Sequence, residues 1–259
     1  MKVETTVVII SIAVFVITTV LLFLGAKQAQ YRKNDEWLVD EFSRCNVIVF
    51  GKKGTGKDLL FSHVIALRDE PHYSNIVYDK NTEVVDVKDI AVGELTFLDL
   101  VEGSFEQVEP TFEERTDFYI SDAGIYFPSQ YDKQLDKIYP SMPILYALSR
   151  HLYASNIHCN TQNLGRVWLK LREQADCYIR TIRTKDKGEY LEVTAISYDK
   201  YESAARNLLP NLNKAENGEI VKRKFRIYKN TIKYDTRYFR RLIFKNVKKE
   251  RLENLYERP

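Results

Sequence analysis

NVIVFGKKGTGKDLL, residues 46–60, joins a short apolar run, a glycine-rich turn and the start of a helical segment. The spacing is Gly51, four residues, then Gly56 and Lys57, which follows the phosphate-loop pattern G-x-x-x-x-G-K-[ST] up to its last position. Glycines there let successive backbone N–H groups turn inward toward an anion, and the lysine reaches the outer oxygens of a polyphosphate. A helix beginning at Lys57 and running to Arg68 points the positive end of its dipole at the same place. The residues that would line such a loop are Gly51, Lys52, Lys53, Gly54, Thr55, Gly56, Lys57 and Asp58. Asp58 stands where a Ser or Thr hydroxyl would normally meet Mg²⁺. A carboxylate can also ligate that hard cation, although it brings negative charge close to the phosphates.

Working outward toward the amino end, Thr5 to Ala26 is a run of 22 residues without a charge or a histidine, rich in Val, Ile, Leu and Phe. At ~1.5 Å per residue such a helix is roughly 33 Å long, enough for the ~30 Å hydrocarbon core of a bilayer. A cleaved signal peptide usually has an apolar region of only ~7–15 residues behind a basic start. Here Lys2 is offset by Glu4, and Lys27, Arg32 and Lys33 follow the run. The positive-inside rule then places the amino terminus outside and the rest of the chain in the cytoplasm, as a single signal anchor.

The remaining residues suffice for one large α/β domain. A net charge of +3 selects no class of partner. Cys45, Cys159 and Cys177 are scattered and odd in number, show no metal spacing and fit reduced core thiols. Strands are expected at Asn46–Phe50, Ile76–Tyr78, Asp117–Ser121, Ile157–Thr161 and Cys177–Ile182, and helices at Lys57–Arg68, Pro143–Tyr153 and Gly165–Gln174. Their alternation predicts a mostly parallel sheet covered by helices. Glu189–Tyr198 alternates strongly and pairs with Cys177–Ile182 as an antiparallel edge hairpin across the turn at residues 185–188. The organisation expected is an anchor over 1–27, a charged connector over 28–44, the main domain over 45–200 and a carboxyl-terminal extension over 201–259. In that extension KRKFRIYKN (222–230) and TRYFRRLIFKNVKKER (236–251) interleave aromatic residues with cations. Such a stretch could follow a nucleic-acid backbone or anionic lipid, or form a solvated face or an oligomer contact.

Two further pieces accompany the loop. The apolar run from Asp117 ends in Ser121-Asp122, which would bring the Asp122 carboxylate to a metal beside the phosphates. Ala123 follows, where a Glu polarising the attacking water is often found; Glu113 or Glu114 could substitute. The segment Ser149–Gln162 reads as the end of a helix, a turn and a strand tipped by Thr161-Gln162. An amide at such a tip can bond a γ-phosphate or orient water, and Arg150 could reach a neighbouring subunit's nucleotide. His151 and His158 lack the spacing of a metal pair.

GKKGTGKD at Gly51–Asp58, YISDAG at Tyr119–Gly124 followed by Phe127-Pro128, and SRHLYASNIHCNTQN at Ser149–Asn163 occur in that order. With them the chain resembles the zonula occludens toxin (Zot)-like proteins, assembly ATPases of filamentous bacteriophages within the FtsK/HerA class of P-loop NTPases. The resemblance covers residues 46–183. It implies an α/β P-loop NTPase domain tethered by one transmembrane helix to the inner membrane of a bacterial host. Such a protein would bind and hydrolyse ATP with Mg²⁺ during phage assembly and export, or while moving single-stranded DNA. Carried over by position, Lys57 and the loop hold phosphates, Asp58 and Asp122 serve the metal, Gln162 senses the γ-phosphate, and Arg150 acts in trans in a homo-oligomeric ring. Coat or export proteins are the implied partners. The chain departs from the pattern at Asp58, at Ala123, and in placing its span before the ATPase domain. A tethered scaffold that joins coat proteins to an export pore, with a degenerate nucleotide site and no turnover, is therefore the second reading.

Overall fold

The computed structural model describes residues 2–85, 116–138, 146, 155–206, 220–232 and 234, with side chains from residue 11 onward. The expected strand, turn and helix form as β1 (Val47–Phe50), the loop at residues 51–56, and α2 (Lys57–Arg68), preceded by the long α1 (Lys2–Arg44). The other strands are β2 (His72–Ser74), β3 (Thr82–Val84), β4 (Asp117–Ile120), β5 (Ile157–Thr161), β6 (Cys177–Asp186), β7 (Tyr190–Tyr198) and β8 (Ile220–Tyr228). They make one eight-stranded sheet in the order β3-β2-β4-β5-β1-β6-β7-β8. The pairs from β3 through to β6 are parallel, and β6-β7 and β7-β8 are antiparallel. The edge hairpin is thus a three-stranded addition, because the first part of the basic stretch, Lys222–Tyr228, lies in β8 and the sheet continues past residue 200.

Alternation along β1 divides the core. Val47 and Val49 face a cluster with Leu60, Phe61 and Val64 of α2 and with Leu38 and Phe42 of α1. Ile48 and Phe50 face a second cluster containing Phe118, Ile157, Trp168, Tyr178 and Tyr198. All four β1 side chains are buried, as expected for a central parallel strand covered on both faces.

Three expectations change. Residues 28–44 are no separate connector, because α1 runs on through them. No Pro or Gly follows Gly25 until the helix ends, and Tyr31, Leu38 and Phe42 recur on one buried face. Asn34 Nδ2 donates to the Lys224 carbonyl (2.9 Å), Tyr31 donates to the Glu192 carboxylate, and the Arg223 guanidinium lies 3.8 Å over the Trp37 ring. Among the described residues the apolar part makes no such contacts, and Phe15, Leu22 and Phe23 are 72%, 71% and 69% exposed. Thr18 and Thr19 satisfy their hydroxyls on the carbonyls of Val14 and Phe15. Among the described residues this is the one helix long and apolar enough to cross a membrane.

The second change concerns Ile76–Tyr78, which is not a strand; the pairing segment is His72–Ser74. There the ladder is continued by side chains instead: Ser74 Oγ donates to the Tyr119 carbonyl, and the Asn75 amide exchanges two bonds with the Ser121 backbone (2.8 and 2.9 Å). Ile76 and Tyr78 are buried from a loop. The third is Gly165–Gln174, which breaks into a 3₁₀ turn (Leu164–Arg166) and a short helix (Leu169–Arg172). Val167 bridges Pro128, and the Trp168 N–H donates to the Phe127 carbonyl (2.8 Å), so these two residues stay extended. Of the expected helix Pro143–Tyr153 only Tyr146 is described; Arg150, His151, Glu113 and Glu114 lie outside the described residues.

Candidate phosphate-binding site

The loop leaves the carboxyl end of β1, with β5 on one side and β6 on the other, in the position where open α/β sheets receive their ligands. Gly51, Gly54 and Gly56 have φ of 155°, 79° and 97°. Crowding requires glycine at both ends of the loop. A Cβ on Gly51 would sit 2.5 Å from the Thr181 carbonyl, and one on Gly56 would sit 2.5 Å from Thr184 Oγ1. Gly56 is the N-cap of α2 and offers no capping side chain, so the first N–H groups of a 12-residue helix open toward the loop. Thr55 closes the turn, donating to the Lys52 carbonyl (2.7 Å) and lying 2.7 Å from the Thr181 hydroxyl. Lys57 is buried, with its ammonium 3.5 Å from the Lys52 carbonyl. Uncapped N–H groups, a buried cation and a backbone cradle that a Cβ would fill form a donor set that fits a polyphosphate. Lys52, Lys53 and Gly54 are exposed on the outer rim.

Asp58 lies deeper, in the first turn of α2. Its Oδ1 accepts from Asn160 Nδ2 (2.7 Å) and Ser121 Oγ (3.0 Å), with the Tyr78 hydroxyl at 3.4 Å. Asp122, two residues past the end of β4, is in left-handed backbone (φ 53°, ψ 46°), and its N–H donates to Asn160 Oδ1 (2.9 Å). Burial, and then the Asp58 charge, push the Asp122 carboxyl above the ordinary carboxylate range, while Lys57 pulls the other way. Two carboxylates and one lysine therefore act on each other here, an oxygen set that suits Mg²⁺. Among the described residues no group of three or more His, Cys, Asp or Glu side chains is placed to hold a metal by itself.

Gln162 is exposed and borders a small cavity of about 60 Å³ with Asp122, Gly124, Ile125, Thr161 and Arg166. The structure thus brings Lys57, Asp58 and Asp122 together, with Gln162 beside Asp122. Sequence reasoning missed Asn160, Ser121 and Arg166. Asn160 and Ser121 are polar residues at the carboxyl ends of buried strands, and that was the available signal. Arg166 carried none. His158 is buried with its Nε2 3.6 Å from Asp117, away from any metal set.

No protein-family model matches the chain, and no curated protein matches it. Solved structures do. The chain is similar to the genome packaging NTPase B204 of Sulfolobus turreted icosahedral virus 2 in complex with AMP, at 14% identity and a TM-score of 0.40, over 71% of this chain and 98% of that one. It is similar to the N-terminal domain of zonular occludens toxin from Neisseria meningitidis at 10% identity and a TM-score of 0.39, over 72% and 96%. A third likeness is to ATPases 2 and 3 of EssC from Geobacillus thermodenitrificans, at 12% identity and a TM-score of 0.39, over 82% of this chain and 44% of that one.

The cradle makes a direct prediction. Gly56→Ala combines a strained φ with contacts to Thr184 Oγ1 at 2.5 Å and Val193 Cγ2 at 3.1 Å. Because the loop must shift to relieve them, the variant is expected to lose about 1–3 kcal/mol of stability. It should also lose at least roughly tenfold in ATP affinity, about 1.4 kcal/mol. Thermal melting and nucleotide titration of the full chain check both.

Proposed function

We propose that this chain is a membrane-anchored, ATP- and Mg²⁺-dependent motor that serves filamentous phage assembly and export or the movement of single-stranded DNA. The observation that carries the reading is the convergence of the Gly51–Asp58 loop, the buried Lys57 and the Asp122 carboxylate at the carboxyl end of the central parallel strands. In this reading the loop N–H groups and Lys57 hold the phosphates, and Asp58 and Asp122 receive the magnesium. Gln162 contacts the γ-phosphate from the tip of β5. Arg150 acts on the nucleotide of a neighbouring copy in a homo-oligomeric ring. Bound MgATP supplies the phosphoanhydride; the chain's own groups orient it and neutralise its charge.

The exposed apolar part of α1 fits a single-pass anchor, and its docked lower part carries the ATPase domain on the cytoplasmic side of the host's inner membrane. Support for the phage setting comes from the ordered motifs at 51–58, 119–128 and 149–163. Coat or export proteins would then be the partners, and the basic residues at 236–251 offer a contact for DNA or lipid. One observation favours the scaffold reading instead. The residue after Asp122 is Ala123, fully buried, which brings no carboxylate to a water.

Turnover separates the two. The full chain in lipid nanodiscs is assayed for phosphate release from MgATP, with and without single-stranded DNA. A motor acting on DNA shows turnover that rises several-fold with the strand. ATP binding without phosphate release, in either condition, is the result for the scaffold.

A further inference from the structure

We propose that Asn160 is a positioning residue that fixes Asp58 and Asp122 relative to one another, so that the magnesium of a bound nucleotide meets two carboxylates instead of a hydroxyl and a carboxylate. The inference rests on the nucleotide reading above. Asn160 is fully buried at the next-to-last position of β5, the strand that separates the loop strand β1 from the acidic strand β4. Its amide is divided between the two sides. Nδ2 donates to Asp58 Oδ1 at 2.7 Å, and Oδ1 accepts the Asp122 N–H at 2.9 Å. The second bond helps hold Asp122 in left-handed backbone, a conformation that non-glycine residues rarely adopt. Ser121 reinforces the first bond, donating to the same Asp58 oxygen at 3.0 Å, and Ser121 is itself gripped through its backbone by the Asn75 amide.

The bonds to Asp58 converge on Oδ1. A carboxylate has a second oxygen, and Oδ2 can accept a cation without giving up the anchor. A Ser or Thr hydroxyl at this position has a single oxygen for both tasks. This gives a physical reason for an aspartate at position 58: one oxygen is tied to Asn160 and Ser121, and the other is offered to the metal. The clamp ties the Asp58 carboxylate to the Asp122 main chain through one neutral amide. Outer partners that orient metal ligands typically change metal affinity by about 10–100-fold when removed.

A double-variant cycle on the full chain in nanodiscs tests this. It measures the Mg²⁺ concentration that half-saturates binding of a fluorescent ATP analogue, with thermal melting recorded for each variant. Asn160→Thr keeps a strand-forming residue whose hydroxyl is too short to span both partners. It is expected to raise the half-saturating Mg²⁺ by about tenfold or more with Asp58 present. In the Asp58→Ser background the same change should raise it less than about threefold, because the anchor is already gone. Ser121→Ala provides a second cycle on the same oxygen if Asn160→Thr melts too early to titrate, with a smaller rise that again depends on Asp58. Equal effects in both backgrounds, or no effect in either, overturn the role assigned to Asn160 while leaving the nucleotide reading intact. Failure of the unmodified, folded chain to bind the MgATP analogue overturns both.

Discussion

Lys57→Ala is expected to weaken ATP binding by about a hundredfold or more while the chain melts at an unchanged temperature. Both halves of that expectation follow from where the lysine sits. It lies in the first turn of α2, is buried, and makes its hydrogen bond to the Lys52 carbonyl at the long distance of 3.5 Å. A weak bond to a loop carbonyl contributes little to folding, so the loss of the ammonium leaves the domain nearly as stable. Toward a triphosphate the same group donates charge-assisted bonds worth about 1.5–3 kcal/mol each in a site shielded from water. About 3 kcal/mol corresponds to roughly a hundredfold in the dissociation constant. Titration with a fluorescent ATP analogue, paired with a thermal melt, reads the two quantities separately. A variant that melts normally and binds normally would remove the loop from the account.

The second large effect lies at the opposite end of the sheet and concerns stability. Arg68 ends the phosphate-loop helix and is mostly buried. It is paired with the Asp117 carboxylate and contacts the Tyr119 hydroxyl (3.3 Å), the Phe42 carbonyl (3.4 Å) and Glu70 (2.7 Å). Asp117 begins β4 and is 5% exposed; its other oxygen accepts the Asn156 N–H at 2.6 Å. Arg68→Met would strand that carboxylate, so a loss of about 3–5 kcal/mol is expected. For a chain of this size that lowers the melting temperature by on the order of 10 °C.

The pH dependence has a definite sign. Burial pushes the Asp117 carboxyl upward, but the His158 contact, the Arg68 charge and the Asn156 N–H outweigh it, and the net shift is downward. A carboxyl lowered in the folded state stabilises the fold above its ordinary range and loses that contribution as pH falls through the folded value. The gap between Arg68→Met and the parent chain should therefore be widest near neutral pH and narrow toward acid. Adding Asp117→Leu to Arg68→Met should recover part of the loss, because no buried charge is left unpaired.

This cluster also bears on how the two halves of the molecule connect. Arg68 and Asn156 both donate to the Phe42 carbonyl, and Asn156 also donates to that of Ser43, so the end of α1 is bonded to the end of α2 and to the start of β5. Asp35 of α1 meets His63 of α2 at 2.9 Å along the same contact. The carboxyl-terminal part of α1 and the helix α2 thus belong to one packed body.

The parts legible in the sequence were those with local signatures. The run before Gly51 is too short and too apolar to be anything but a buried strand, and the glycine spacing fixes the turn and the helix after it. The approach of Asp122 to Lys57 and Asp58 was readable because an apolar run ends near the loop when it lies in the same sheet. Other features depended on contacts between distant residues. The side chains of Ser74 and Asn75 replace backbone pairing beside β4, which no propensity for Ile76–Tyr78 could reveal. Residues 28–44 looked like a linker because their charges dominate, although the spacing of Tyr31, Leu38 and Phe42 already marked a helix with one buried face. At the tip of β5 three polar residues stand in a row, and the register with β4 decides which one faces Asp58. It is Asn160; Gln162 lies farther out, beside Asp122.

The most direct test of the account is a calorimetric titration of ATP into the full chain in lipid nanodiscs, with Mg²⁺ present and with Mg²⁺ removed. One saturable site per chain is expected, with an affinity that collapses without Mg²⁺ and in Lys57→Ala. A folded chain that releases no binding heat, or that binds ATP equally well without Mg²⁺ and without the lysine, would contradict it.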